Sequence, residues 1–259
     1  MSGRKLCFGA GIAAIAVACA APLPFQGVGQ AVGQAVGQAV DQAAGQARQG
    51  SLQSGAAGPA TIKFSYENPG LDPARYTIVV DETGRGHYHS EPAPHAPDPT
   101  SADMPVLPQD TDIRVSPATL DYLFAAARAR KRFDMECEDG KGKVAFQGKK
   151  TLAYTGSDGA GACTYNWSRD DRIDRLTRIF EGISLTLEAG ERLTMYLRHD
   201  PLALDKELGA LIMDVKEGRA MEVENISEQL QKIAQDDSVM ERARERAATL
   251  LREPGAPIQ

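Results

Sequence analysis

Three of the four histidines in this chain fall within nine residues, as His87-Tyr88-His89 and His95. If residues 86–91 run as a strand, alternation puts His87 and His89 on one face, and imidazole nitrogen is a common ligand for zinc. A three-histidine metal site would use His87, His89 and His95 with a fourth position open for water or a carboxylate, and zinc is the cofactor considered for it. The competing expectation is that these are surface histidines on a hairpin edge, holding no cofactor.

Other chemistry-bearing patterns fail on their spacing. Asp134-x-Glu136-x-Glu138-Asp139-Gly140 begins like a calcium loop, but the sixth and twelfth positions hold Asp139 and Ala145 where glycine and glutamate belong. Gly156-Ser-Asp-Gly-Ala-Gly161 is glycine-rich, yet it leads into Cys163-Thr-Tyr-Asn-Trp167 and lacks the Gly-Lys-Ser/Thr that opens a phosphate-binding helix. It reads as a strand connector, and Ser157 has no nucleophile-elbow flanks. Arg128, Arg130, Lys131 and Arg132 form a cationic cluster, either an anion site or charges that complement a helix C-terminus. No catalytic residue emerges, and a noncatalytic role is favoured over an enzyme.

The elements that must position these residues are legible from periodicity. Ile62, Phe64 and Tyr66 alternate with polar neighbours over 61–67, Tyr76 to Val80 is a β-branched run, and Asp81 to Gly84 is a hairpin loop into 86–91, a three-stranded meander. Residues 92–111, with six prolines, read as an exposed loop, and 112–115 as a short strand. Ser116-Pro117 is a helix start, with an N-cap hydroxyl and proline where no N–H is needed. Leu120, Leu123, Phe124 and Ala127 form its stripe. Residues 133–138, 143–146, 149–155 and 162–167 are then expected to alternate as strands.

From Asp170 onward the period changes to that of helices. Ile173, Leu176, Phe180, Ile183 and Leu187 lie at helical spacing that continues through Leu193 and Leu197, followed by three further amphipathic stretches around Leu204–Val215, Val223–Ile233 and Met240–Leu250. This helical stretch accounts for the whole net charge of -6. An acidic balance disfavours nucleic acid, which demands a basic face, and points to a protein partner through the acidic helices.

The N-terminus carries an address. Arg4 and Lys5 precede an apolar run from Leu6 to Ala21 that ends in Ala18-Cys19-Ala20-Ala21-Pro22, the three-part pattern of a secretory signal. The run is shorter than the roughly 20 residues of a spanning helix, so export to a periplasmic or extracellular space is expected, with membrane tethering only if Cys19 is lipidated. A period-four repeat over 26–50, from GVGQ through AVGQ and AVDQ to ARQG, reads as a low-complexity spacer.

The expected organisation is therefore a signal peptide over 1–21, a Gly/Ala/Gln spacer over 22–60, an α+β domain over 61–188, a helical region over 189–253 and a tail over 254–259. The fold class is α+β, an antiparallel strand meander with packed helices followed by an all-helical C-terminal region. Removal of the signal leaves Cys137 and Cys163 in an oxidising compartment, where they are expected to pair. The order of elements over 61–188, a meander, a helix opened by Ser-Pro, and strands ending before another helix, resembles exported bacterial domains of unknown function. That resemblance implies export and an α+β fold and assigns no site residue.

Two functions follow as expectations: an exported noncatalytic binding or assembly module, or an exported metal-dependent enzyme built on His87, His89 and His95. N-terminal sequencing of the exported protein should find cleavage near Ala20 or Ala21, with intact Met1 on the mature species as the contrary result. Acyl mass on Cys19 would instead mark the lipidated form.

Overall fold

The computed structural model describes residues 58–94, 107–140 and 144–252, all within one unit, Gly55–Gln259. The expected signal peptide with Cys19, the period-four repeat, His95 and the tail lie outside the described residues.

Alternation produces the first strands as expected. In β1 (Thr61–Glu67) and β2 (Arg75–Asp81) the buried positions are Ile62, Phe64, Tyr66, Tyr76, Ile78 and Val80. Asp81 closes the next turn, its carboxylate accepting from Thr83 and from the Arg85 N–H while Gly84 takes a positive φ of 79°. β3 (Arg85–Glu91) then turns Tyr88 and Ser90 inward, leaving His87 and His89 outward. β4 (Gln109–Arg114) follows, so the meander has four strands and the last begins three residues inside the segment expected to be loop. The core-facing Gln109 and Ile113 and the pairing partners supplied by β3 outweigh the proline-rich composition just before it.

After helix α1 (Pro117–Ala129) the chain crosses to the other side of β1 and adds β5 (Lys149–Gly156) and β6 (Gly159–Tyr165). The sheet is antiparallel throughout, in the order β4-β3-β2-β1-β5-β6. Two expected strands do not form. Lys131, Arg132 and Phe133 make a left-handed 3-10 turn with φ of 51°, 57° and 68°, and 134–139 and 144–146 join no ladder. The turn sets Phe133 fully inside the core and lays the backbone across β6. A Cβ on Gly161 would stand 2.6 Å from the Arg132 carbonyl oxygen and 2.7 Å from the Asp134 nitrogen, so that crossing requires glycine. Cys137 Sγ then reaches Cys163 Sγ at bonding distance, with Cα atoms 5.8 Å apart.

One helical layer covers the inner face. Helix α2 (Asp171–His199) is capped by Asp170, whose carboxylate accepts from the Arg172 and Ile173 N–H groups. At about 1.5 Å per residue its 29 residues span about 43 Å, enough to serve two cores. Its first part packs under the sheet, with the Phe180 ring stacked on Phe64 at 5.0 Å. Beyond Leu187 its apolar side chains, Ala189 and Leu193, join a second core with α3 (Ala203–Lys216), the 3-10 turn Val223–Ile226, α4 (Ser227–Gln235) and α5 (Glu241–Arg252).

The helical region returns to the sheet through residues 221–225. The Ser116 hydroxyl does not cap α1 as expected from sequence; the Glu222 carboxylate occupies that position, accepting from the Ser116 N–H and hydroxyl at 2.8 Å each and from the Thr119 hydroxyl. A carboxylate there also meets the positive end of the α1 dipole. Asn225 completes the join, accepting from the Arg114 N–H at 2.8 Å and donating to its carbonyl at 2.9 Å.

The cysteine pair closes a loop of sequence separation 26, worth about 3.5 kcal/mol in chain entropy. Free-thiol titration of the denatured, unreduced protein should find Cys137 and Cys163 blocked, and reduction should lower the unfolding free energy obtained from urea titration by an amount of that order, moving the midpoint down. An unchanged midpoint would show that the bridge contributes no stability.

Candidate functional site: the histidine–carboxylate face of the sheet

With helices on one side, the sheet leaves its other face uncovered among the described residues. Cross-strand register sorts that face into rows: Asp112, His87, Val79, Lys63, Ala153 and Ala162 in one, Asp110, His89, Thr77, Ser65, Thr151 and Thr164 in the next. Hydroxyls pair along the second row, Ser65 with Thr77 at 3.3 Å and Thr151 with Thr164 at 2.9 Å.

The histidine end of these rows is the most chemically organised part of the face. His87 lies opposite Asp112 and His89 opposite Asp110. His87 Nδ1 is 3.0 Å from Asp112 Oδ1 and its Nε2 is 3.0 Å from Asp110 Oδ1; His89 Nδ1 is 3.1 Å from Asp110 Oδ2 and its Nε2 is 3.6 Å from Glu91 Oε1. Asp110 thus spans the two rings, and each ring has a second carboxylate behind it. The hydrogen bond to Asp112, reinforced by the charge of Asp110, raises the His87 pKa above its ordinary value of 6.5. Among the described residues no group of three or more His, Cys, Asp or Glu side chains is placed to hold a metal ion; His87 is instead hydrogen-bonded to Asp112 and His89 to Asp110. His87 and His89 share the face that alternation predicts, while His95 lies outside the described residues, so the three-histidine set gains no geometry.

The remaining sequence candidates resolve into structural roles. Arg128 pairs with Glu82 and Asp158, Arg130 with Asp170, and Arg132 with Asp158, so the chain's own carboxylates neutralise these three arginines. The Tyr154 hydroxyl, then Arg132 and Arg128, hold the Asp158 carboxyl down at about 2. The Gly156–Gly161 stretch turns β5 into β6, as expected for a connector. In the acidic stretch 134–140, Glu138 accepts from the Asn166 N–H and Asp139 pairs with Arg169.

Two further features carry no marked sequence motif. Lys150 points into the core, its ammonium donating to the Gln147 and Asn166 carbonyls at 3.3 and 3.2 Å, 4.0 Å from Glu181 and over the Tyr66 ring. Burial lowers its pKa. Glu181 keeps 41% of its side chain in solvent, so the pair straddles the core boundary. Strand parity reveals Lys150 in the sequence, because Leu152 and Tyr154 face inward and Lys150 shares their phase. In the helical region, a groove of about 180 Å³ runs between α2 and α4, with the buried Leu193 and Ile233 below and the exposed Arg198, Glu228 and Lys232 around it.

No protein-family model matches the chain, and no curated protein matches it. No helix among the described residues is long and apolar enough to cross a membrane.

A raised folded-state pKa makes the His87 contribution to stability complete below the ordinary value of 6.5 and lost as pH climbs through the raised value. NMR titration should place the His87 midpoint above that of an unstructured histidine, and Asp112→Asn should bring it down. A midpoint indifferent to Asp112→Asn would assign the shift elsewhere.

Proposed function

We propose that the protein is an exported, noncatalytic binding or assembly module that engages a protein partner through its acidic helical region. The observation carrying this reading is the α2–α4 groove: an apolar base able to accept a partner side chain, ringed by charges of both signs that fix its orientation. Leu193 and Ile233 at that base belong to the second core, so the groove is held by the same packing that holds the helices together.

Export is supported by the charged start, apolar run and small-residue cleavage pattern of the first 21 residues. The cysteine pair at bonding distance fits an oxidising compartment, periplasmic or extracellular. The helical stretch carries the net negative charge of the chain, which favours a partner whose docking face is basic around an apolar anchor.

The test is affinity capture from the native envelope with the tagged full chain, wild type against Thr194→Trp, which fills the groove. A partner held by the wild type and reduced at least about tenfold by Thr194→Trp is expected for an anchor residue of this kind. A partner retained equally by both proteins, or none held by the wild type, would count against the reading.

A further inference from the structure

The geometry points to a second copy of this chain as the occupant of the α2–α4 groove: two α2 helices packed antiparallel about a two-fold axis at Thr194 and Met195, with Glu191 of each copy paired to Arg198 of the other. The inference rests on the reading of the groove as a docking site and names what docks there.

The order of charges along the groove comes first. Gly182 of α2 lies against Arg219 and Met221, Gly190 lies against Ile226, and residues 191–198 share the groove with 228–233. Helices α2 and α4 therefore run in the same direction, and each carries its acid before its base: Glu191 before Arg198, Glu228 before Lys232. The groove is negative at the end nearer the sheet and positive at the other. A two-fold axis across such a groove lays the negative end of one copy on the positive end of the next, so the surface is complementary to itself. Parallel stacking would oppose like charges.

The second argument is the state of the two α2 charges. Among the described residues neither Glu191 nor Arg198 forms an ion pair, whereas Arg192 between them pairs with Glu207 and Glu228 pairs with Lys232, each at 2.7 Å. Two helical turns, about 10.5 Å along the axis, hold Glu191 and Arg198 too far apart to pair with each other. In the antiparallel arrangement each meets its opposite, because residues 191 and 198 are equidistant from the midpoint between 194 and 195.

Spacing supplies the shape. Glu191, Thr194, Met195 and Arg198 stand at i, i+3, i+4 and i+7, one stripe along the helix. Thr194 and Met195, both part-exposed, fall at the axis, where each meets its own counterpart. Threonine is small enough to let the helices approach, and methionine adapts to an irregular neighbour. Leu197, also part-exposed, borders the groove beside them and adds apolar surface. A contact between short helical segments falls in the small, transient class of interface, under about 1,200 Å² in total, so a dissociation constant of about 10–100 µM is expected.

Sedimentation equilibrium of the purified full chain, from about 1 µM to about 1 mM, should show a monomer–dimer equilibrium. Glu191→Arg and Arg198→Glu should each weaken it at least about tenfold, since the two-fold places every substitution at two contacts. The double variant Glu191→Arg/Arg198→Glu restores opposite charges across the axis and should bring the dimer back. These positions are part-exposed and exposed on α2, and circular dichroism of each variant checks the fold. A monomer at every concentration would overturn the inference, as would a dimer indifferent to both single reversals, or one not recovered in the double variant. If the wild type stays monomeric while a captured partner is still lost on Thr194→Trp, the groove reading stands and this inference alone fails.

Discussion

Helix α2 is answerable to two cores at once, and most of the architecture follows from that. A six-stranded sheet with aromatic residues on one side needs a layer over that side, and the first half of α2 supplies it through Ile173, Leu176, Phe180 and Ile183. The helix continues without a break, so its second half emerges beyond the sheet with apolar residues that must be covered separately. Helices α3, α4 and α5 provide that cover. Gly182 and Gly190 let the returning chain come against α2: a Cβ on Gly182 would stand 2.7 Å from the Arg219 carbonyl oxygen, and one on Gly190 2.4 Å from an Ile226 methyl. From that approach Glu222 reaches the start of α1 and Asn225 reaches the end of β4, so one helix couples sheet and bundle.

The two edges of the sheet are managed by different means. At β6 the left-handed turn, the Cys137–Cys163 pair and the Asp139–Trp167 backbone bond lay an irregular segment along the strand. Three consecutive non-glycine residues with positive φ are costly, on the order of 1–3 kcal/mol each, and the complete burial of Phe133 with the covalent tether offsets part of that cost. At β4 the edge is short and bears Asp110 and Asp112. Charges at an edge strand discourage pairing with a further chain, and the same two carboxylates organise the histidines of β3. Edge protection and the histidine–carboxylate contacts are thus two consequences of one placement of charge.

The buried polar groups show how the core tolerates chemistry it cannot expel. Tyr88 places its hydroxyl between Ser184 and Glu188, and burial pushes the Tyr88 pKa far up, with Glu188 adding to the effect. Lys150 satisfies two loop carbonyls at the opposite end of the sheet. In both places a charged or polar group is held by partners from other elements, the condition under which such a group can remain inside. These contacts tie α2 and the loop ends to particular strands, adding direction to packing that apolar contacts alone leave loosely specified.

Periodicity carried the elements: alternation in 61–67 and 75–80 and the helical stripes after Asp170 were readable because each depends on neighbours a few residues apart. The pairing of Cys137 with Cys163 was also readable, since the chain has four cysteines and two of them, Cys7 and Cys19, fall in the expected signal segment. The same local signal misled at 133–138, where inward residues alternate along a segment that pairs with nothing, because a left-handed turn and two glycines on β6 set its path. The histidine face was half legible. His87-x-His89 on one side of a strand follows from parity, but Asp110, Asp112 and the Glu222 cap come from residues 21 to 106 positions away in sequence. Register between strands and the return of a distant loop are set by long-range packing, and only the tertiary structure decides them.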